Sequence, residues 1–267
     1  MALDEYQRKR NFERSPEPKG DAAAARKVRK GKPLFFCVQK HLASHLHYDF
    51  RLEYDGVLLS WAVPKGPSLD PKVKRLAMHV EDHPIEYGTF EGVIPEGYGA
   101  GIVMLWDQGT WTPESPDVDA ALKKGDLKFT LDGYKLKGSW VLVRTRGWGG
   151  SRGAADSGKS WLLIKHRDDW AGELDITEFA PLSVKTEKDL HEILADEPAV
   201  WQSHKAGGGE TGAMLRTIIE RAAALKAGRP SPAAPAVAKS AAARKPRPRP
   251  SGSPKPPGEG GRPKKRD

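Results

Sequence analysis

The sequence predicts a mainly β chain whose short strands close into a barrel or pack as a sandwich, followed by a basic tail with no fold of its own. Three observations lead there. Between residues 33 and 171, short runs rich in β-branched and aromatic residues alternate with turn signals such as Asp55-Gly56, Pro95-Glu96-Gly97 and Asp132-Gly133. Strands at that density call for a closed or double-layered β architecture. Charge is also unevenly spread: from Lys226 onward, 12 lysines and arginines face only Glu259 and Asp267, whereas residues 1–225 hold 32 basic and 33 acidic residues. The overall charge of +9 therefore belongs to the tail, and any nucleic-acid site in the folded part must rest on local clusters. Finally, the tail from 228 to 267 is Ala, Pro, Lys, Arg, Ser and Gly with almost nothing to bury, which predicts disorder.

At 267 residues the chain can hold one domain with extra segments or two small ones, and the uneven composition favours the first. The single cysteine, Cys37, lies in the apolar run PLFFCV and reads as a small core residue, in keeping with a reducing compartment. No apolar run is long enough to span a membrane and the N-terminus has no apolar signal segment, so a soluble, cytoplasmic protein is expected.

Residues 1–32 form a polar arm whose prolines argue against a continuous helix, with Tyr6 and Phe12 as apolar anchors. The predicted strands are 34–39, 46–54, 57–63, 75–80, 87–92, 101–106, 127–131, 140–146 and 161–166. Asp117 can cap a helix over 120–124 that Gly125 stops. The glycine-rich FEGVIPEGYGAG lacks the strand-to-helix setting of a phosphate loop and reads better as a turn between strands. Trp61, Trp106, Trp140 and Trp161 fall in strand runs and are expected in the core. Residues 147–159 read as a mobile loop. Segments 189–195 and 213–225 have helical spacing, giving a helical appendage over 172–227.

The densest chemistry lies in residues 39–53, QKHLASHLHYDFRLE. From Leu46 the run alternates: Leu46, Tyr48, Phe50 and Leu52 share one face, and His47, Asp49, Arg51 and Glu53 the other. One face is core and the other is chemistry. His47 and Asp49 stand about 7 Å apart along the strand. His41, arriving from the turn just before, completes a His/His/Asp triangle suited to a catalytic divalent metal with open positions. The plainer account is the wet face of a half-buried strand. Against it, such faces usually carry Thr, Lys, Ser and Glu, whereas imidazoles beside a carboxylate and a guanidinium can bind a metal and a phosphate together. Residues 75–87 alternate as well, with Leu76, Met78 and Val80 on one face and Arg75, Ala77, His79, Glu81 and then His83 on the other, and two such strands in one sheet can face the same cavity.

The 39–53 run resembles the Q-x-H-x-A-x-x-L-H-Y-D-F-R-L-E signature of the 3′-phosphoesterase domain of bacterial DNA ligase D. Further motifs follow in order: KRNFERSPEP in the arm, R-L-A-x-x-x-E-D-H-P-x-x-Y at 75–87, and the two closing strand phrases, so the resemblance covers roughly residues 5–170. It implies a compact β-barrel of short antiparallel strands with a few short helices and the site in a surface groove. It also implies that Arg75, His83 and Tyr87, with Arg10 and Glu17 of the arm, serve the active site. The implied reaction is metal-dependent healing of 3′ ends: a terminal ribonucleoside is removed, then a 3′-phosphate, leaving a 3′-OH. Manganese is the implied cofactor, with Zn²⁺ or Co²⁺ as other fits to two nitrogens and a carboxylate.

The implied partners are DNA or RNA-tipped DNA 3′ ends near the nucleoid, together with end-joining proteins such as Ku or a DNA ligase. No K-x-D-G nucleotidyl-lysine motif occurs, so a stand-alone phosphoesterase is expected. Two departures stand out. Asn11 replaces the family's aspartate, and the loop before Tyr98 is one residue short. Two rivals stay open on the residues alone: a non-catalytic DNA-end binding module, and a two-His-one-carboxylate iron oxygenase.

Overall fold

Period-two alternation becomes a single antiparallel sheet that closes on itself. The structure, a computed structural model, describes residues 3–20, 33–145, 158–197 and 210–229. Its strands are β1 (Leu34–Leu42), β2 (Leu46–Tyr54), β3 (Val57–Val63), β4 (Arg75–His79), β5 (Gly92–Ile94), β6 (Gly101–Pro113), β7 (Asp126–Gly133), β8 (Lys137–Arg144) and β9 (Ser160–Lys165). They run in the order β1-β2-β3-β4-β9-β8-β7-β6, and β6 pairs back with β1, so eight strands form a barrel. β5 hangs outside the ring on β6. Closure leaves the ring without an unpaired edge.

The inner faces supply the core. Phe36, Val38, Tyr48, Phe50, Trp61, Trp106, Trp111, Trp140 and Trp161 belong to one buried cluster, which places all four tryptophans expected inside. Cys37 is fully buried too, and burial pushes its thiol up to about 12, so it is inert at neutral pH. Where β1 meets β6 the register shifts between Val38 and Gln39, leaving Trp106 as the extra residue on β6. A bulge bends its strand and re-aims the side chains beside it. Here the neighbouring outward-facing residues are Gln39 and His41.

Helices cover what the barrel leaves open. They are α1 (Asp4–Arg8), a 3-10 helix (Ile85–Thr89), α2 (Val118–Lys124), α3 (Ile176–Phe179), α4 (Leu190–Asp196) and α5 (Glu210–Lys226). As expected, the Asp117 carboxylate accepts from the amide of Ala120 at 2.8 Å at the start of α2, and Gly125 ends it in the left-handed region at φ 78°. Asp189 caps α4 in a reciprocal pair with Glu192. Ile176, Leu190, Ile193, Leu194, Leu215 and Ile218 join the barrel's own core cluster. No helix among the described residues is long and apolar enough to cross a membrane.

Three expectations are corrected. Residues 87–92 were expected as a strand, but Ile85–Thr89 is a 3-10 helix, and Gln39 donates to the carbonyls of Tyr87 and Phe90 at 3.0 and 2.9 Å. His41 was expected in a turn, but β1 continues to Leu42 and pairs His41 directly with His47. On β4 the two faces are exchanged: Leu76 is 40% exposed, and Ala77, opposite Trp161, is fully buried in the core. The expected loop over 147–159 lies almost wholly outside the described residues, as does the tail from 230.

Candidate active site

The outer faces of β1, β2 and β3 carry a continuous polar patch, because three neighbouring strands present it in register. His41 lies opposite His47, Gln39 opposite Asp49, and Arg51 opposite Ser60. The donor atoms of His41, His47 and Asp49 lie within 4.8 Å of one another. The two Asp49 oxygens stand 3.6 Å from His41 Nδ1 and 3.6 Å from His47 Nε2.

The far side of each ring decides which nitrogen is free. His41 Nε2 is 3.0 Å from the carbonyl of Gly99, and His47 Nδ1 is 3.0 Å from that of His45. A carbonyl only accepts, so those nitrogens carry the protons and donate. The other nitrogens therefore aim lone pairs at the Asp49 carboxylate, the arrangement that outer hydrogen bonds impose on metal-ligating histidines. Metal bonds of about 2.0–2.2 Å at tetrahedral angles put donors about 3.3–3.6 Å apart. The residues fit a divalent cation.

Asp49 is ionised. Burial alone would raise its pKa, but the Arg51 guanidinium beside it outweighs that and holds the carboxyl well below the usual range. Burial lowers the pKa of His47 below 6.5 despite Asp49. Its free nitrogen is thus already unprotonated at neutral pH, and metal binding displaces no proton from it. Metal affinity measured by calorimetry is expected to be flat from pH 8 to 7 and to fall only below about pH 6.5. A tenfold drop between pH 8 and 7 would contradict these tautomers.

Arg51 is the hub beside the metal group. Only 2% exposed, it donates to Asp49 Oδ2 at 3.0 Å, Gln39 Oε1 at 2.8 Å and Ser60 Oγ at 2.8 Å, and it stacks 4.9 Å from the Tyr87 ring centre. Tyr87 itself is buried, its hydroxyl pushed well above 10 by burial, and its ring lies 4.9 Å from that of His83.

The arm closes the site from above. Tyr6 is fully buried against Leu58 and Tyr87, and its hydroxyl donates to the carbonyl of Pro18 at 2.6 Å. This anchor sets Arg10 over the barrel, where it reaches Glu17 at 2.8 Å, Glu81 at 3.2 Å and His83 Nε2 at 3.1 Å. Arginine only donates, so His83 Nε2 accepts, and Nδ1–H donates to the carbonyl of Glu81 at 2.9 Å. His83 is neutral: burial, then Arg51 and Arg10, hold its pKa well below 6.5.

Residues 39–144 match the family profile of the DNA ligase D 3′-phosphoesterase domain. Over those residues the chain belongs to that family. The multifunctional non-homologous end joining protein LigD of Pseudomonas aeruginosa is 53% identical over 194 residues, covering 70% of this chain and 22% of that protein. The LigD proteins of Mycobacterium tuberculosis and Mycolicibacterium smegmatis are 46% and 37% identical, over 54% and 67% of this chain and 18% and 22% of theirs. The chain thus spans about a fifth of the length of these curated relatives.

Within the phosphoesterase domain and its arm, the fold brings together His41, His47, Asp49, Arg51, His83, Tyr87, Arg10 and Glu17. It does not bring Arg75. That residue pairs with Leu163 on the inward face of β4, across the sheet from Asp49, and its charge acts on Asp175. Among the described residues no bond joins it to the metal group, and its Nε is buried without a partner. Gln39, Ser60 and Glu81 were missed as site residues. Gln39 and Glu81 stand inside the two quoted motifs and offered a signal; Ser60, in an apolar strand, offered none. Asn11 keeps an acceptor where the carboxylate is lost: its Oδ1 takes the amide of Glu13 at 3.1 Å and holds the turn that leads to Glu17.

Proposed function

We propose that this protein is a metal-dependent phosphoesterase that heals DNA or RNA-tipped DNA 3′ ends at breaks, ahead of sealing by end-joining proteins. The observation that carries this reading is the meeting of two imidazole lone pairs and a carboxylate beside the buried guanidinium of Arg51, within a phosphoesterase-family domain. His41, His47 and Asp49 would hold a divalent cation, which when bound would supply charge neutralisation to the phosphate. Manganese is the proposed ion, with Zn²⁺ and Co²⁺ as comparisons. Phosphoryl transfer depends chiefly on positioning and electrostatics, which these side chains supply.

Two hydrolyses follow one another. In the first, a water oxygen bonds to phosphorus and the P–O5′ bond breaks, so the terminal ribonucleoside leaves with its 5′ oxygen protonated and a 3′-phosphate remains. In the second, water attacks again, the P–O3′ bond breaks, and inorganic phosphate leaves a 3′-OH. In this reading Arg51 and Arg10 clamp the phosphate oxygens with their remaining N–H groups. His83 orients Arg10 through its accepting nitrogen; to protonate a leaving oxygen it would have to take up a proton against two guanidiniums. Glu17 and Glu81 fix Arg10 from the other side, and Tyr87 backs Arg51.

The test is incubation of primer-templates ending in a 3′ ribonucleotide or a 3′-phosphate with the protein and Mn²⁺, with loss of activity on chelation. Ends that are bound but left intact would favour a binding module instead. The tail should add affinity without specificity, since its lysines and arginines release counterions near a duplex, and log K then falls with log salt with a slope of about 0.9 per phosphate neutralised. Removing residues 228–267 is expected to weaken DNA binding at low salt and flatten its salt dependence, while turnover on a saturating short substrate is unchanged. An unchanged salt slope would reduce the tail to a solubilising extension.

A further inference from the structure

One cavity has Arg10 and Glu17 in its lining but none of His41, His47 and Asp49. It has a volume of about 450 Å³, and its walls are the arm, with Arg8, Lys9 and Arg14, and the loop that carries Tyr98. A volume of that order fits a small organic group. Two contacts join it to the site. Arg10, which donates to His83, lines it and lies 5.6 Å from the Tyr98 ring centre, and the carbonyl of Gly99 is the one that holds His41.

Tyr98 differs from the other tyrosines nearby. Tyr6 and Tyr87 are buried, whereas Tyr98 is 50% exposed. It is held between Gly97 and Gly99, both in the left-handed region at φ 88° and 79°, with no atom closer than 4.0 Å to where a side chain would start on either. The loop thereby lifts the ring clear of the barrel. The Lys9 ammonium, paired with Glu5 and Glu81, stands 4.8 Å from the ring centre, and Arg10 and Arg14 line the same pocket in ion pairs with Glu17 and Glu96, so an aromatic ring faces a row of basic groups held by carboxylates. That pairing of a flat aromatic surface with fixed positive charge is what a single-stranded nucleotide needs for its base and its backbone.

We propose that this pocket binds the nucleoside whose 3′ oxygen carries the phosphate, with Tyr98 as the platform on which its base stacks. The inference rests on the 3′-end reading above and adds a subsite to it. Both hydrolyses act on a phosphate attached to that same nucleoside, so one subsite serves both substrates. Stacking recognises the flat face that every base has, so the subsite is indifferent to sequence.

Binding without turnover separates this inference from the reading it builds on. An oligonucleotide with 2-aminopurine as its last base and a 3′-phosphate is titrated with the protein in EDTA, alongside the same strand with an abasic last residue. The wild type is expected to quench the 2-aminopurine and to prefer it over the abasic strand. Tyr98→Phe should behave the same. Tyr98→Ala should lose the quenching, bind the 2-aminopurine strand about 5- to 150-fold more weakly, as loss of one stacked base implies, and no longer distinguish the two strands. Equal binding of both strands by the wild type, or quenching retained in Tyr98→Ala, overturns the subsite. A wild type that quenches but trims no end in Mn²⁺ overturns the proposed reaction and leaves the subsite standing.

Discussion

His47→Ala is expected to abolish both ribonucleoside and phosphate removal and to reduce metal binding to the background of a two-donor site. It is the cleanest of the three ligand substitutions. His47 has 22% of its side chain exposed and its ring makes one outer hydrogen bond, to a neighbouring carbonyl, so little packing is lost. Asp49→Ala is a poorer test. It would strand the buried guanidinium of Arg51 without its carboxylate, and breaking a buried pair costs about 3–5 kcal/mol. Asp49→Asn keeps an oxygen for Arg51 and is the better companion. Calorimetry with Mn²⁺ and the primer-template assay check the result: a folded His47→Ala that still trims ends would remove it from the ligand set.

Arg51→Ala is expected to lower turnover by about 10² to 10³, the usual consequence of losing one charge-stabilising donor. Its effect will not stop at chemistry. Three buried acceptors, on Asp49, Gln39 and Ser60, lose their partner at once, so thermal stability should fall measurably as well. Acid titration gives an independent readout. In the wild type the Asp49 pKa lies below its unfolded value, so its contribution to stability is present above that value and lost as the pH falls through the carboxylate range. Without Arg51 that contribution shrinks, and the acid unfolding midpoint should move to higher pH. Normal turnover in a folded Arg51→Ala would sink its role at the phosphate; Arg51→Lys, which keeps the charge but not the three-way geometry, should recover stability less than fully.

Alternation alone determined a good deal. The run from Leu46 to Glu53 could bury Phe50 and Leu52 only by turning His47, Asp49 and Arg51 to the opposite face, whatever the rest of the chain did. The density of strands and turns, the cap at Asp117 and the stop at Gly125 were equally local, and so legible. The resemblance carried by the same motifs named His83, Tyr87, Arg10 and Glu17, which no local pattern marks.

Tertiary structure decided the rest. His41 sits on a strand because β1 extends as far as its pairing with β6 does, and β6 is some sixty residues away in the chain. The phase of β4 was set by its pairing: Ala77 lies opposite Trp161 and Arg75 opposite Leu163, so both share the inward face of those core residues and Leu76 turns outward. Gln39, Ser60 and Glu81 joined the site because β1, β3 and the arm converge on Arg51 and Arg10. A two-residue period says which side chains share a face; which face becomes the interior, and what lies across from it, is settled only when distant strands compete for the same core.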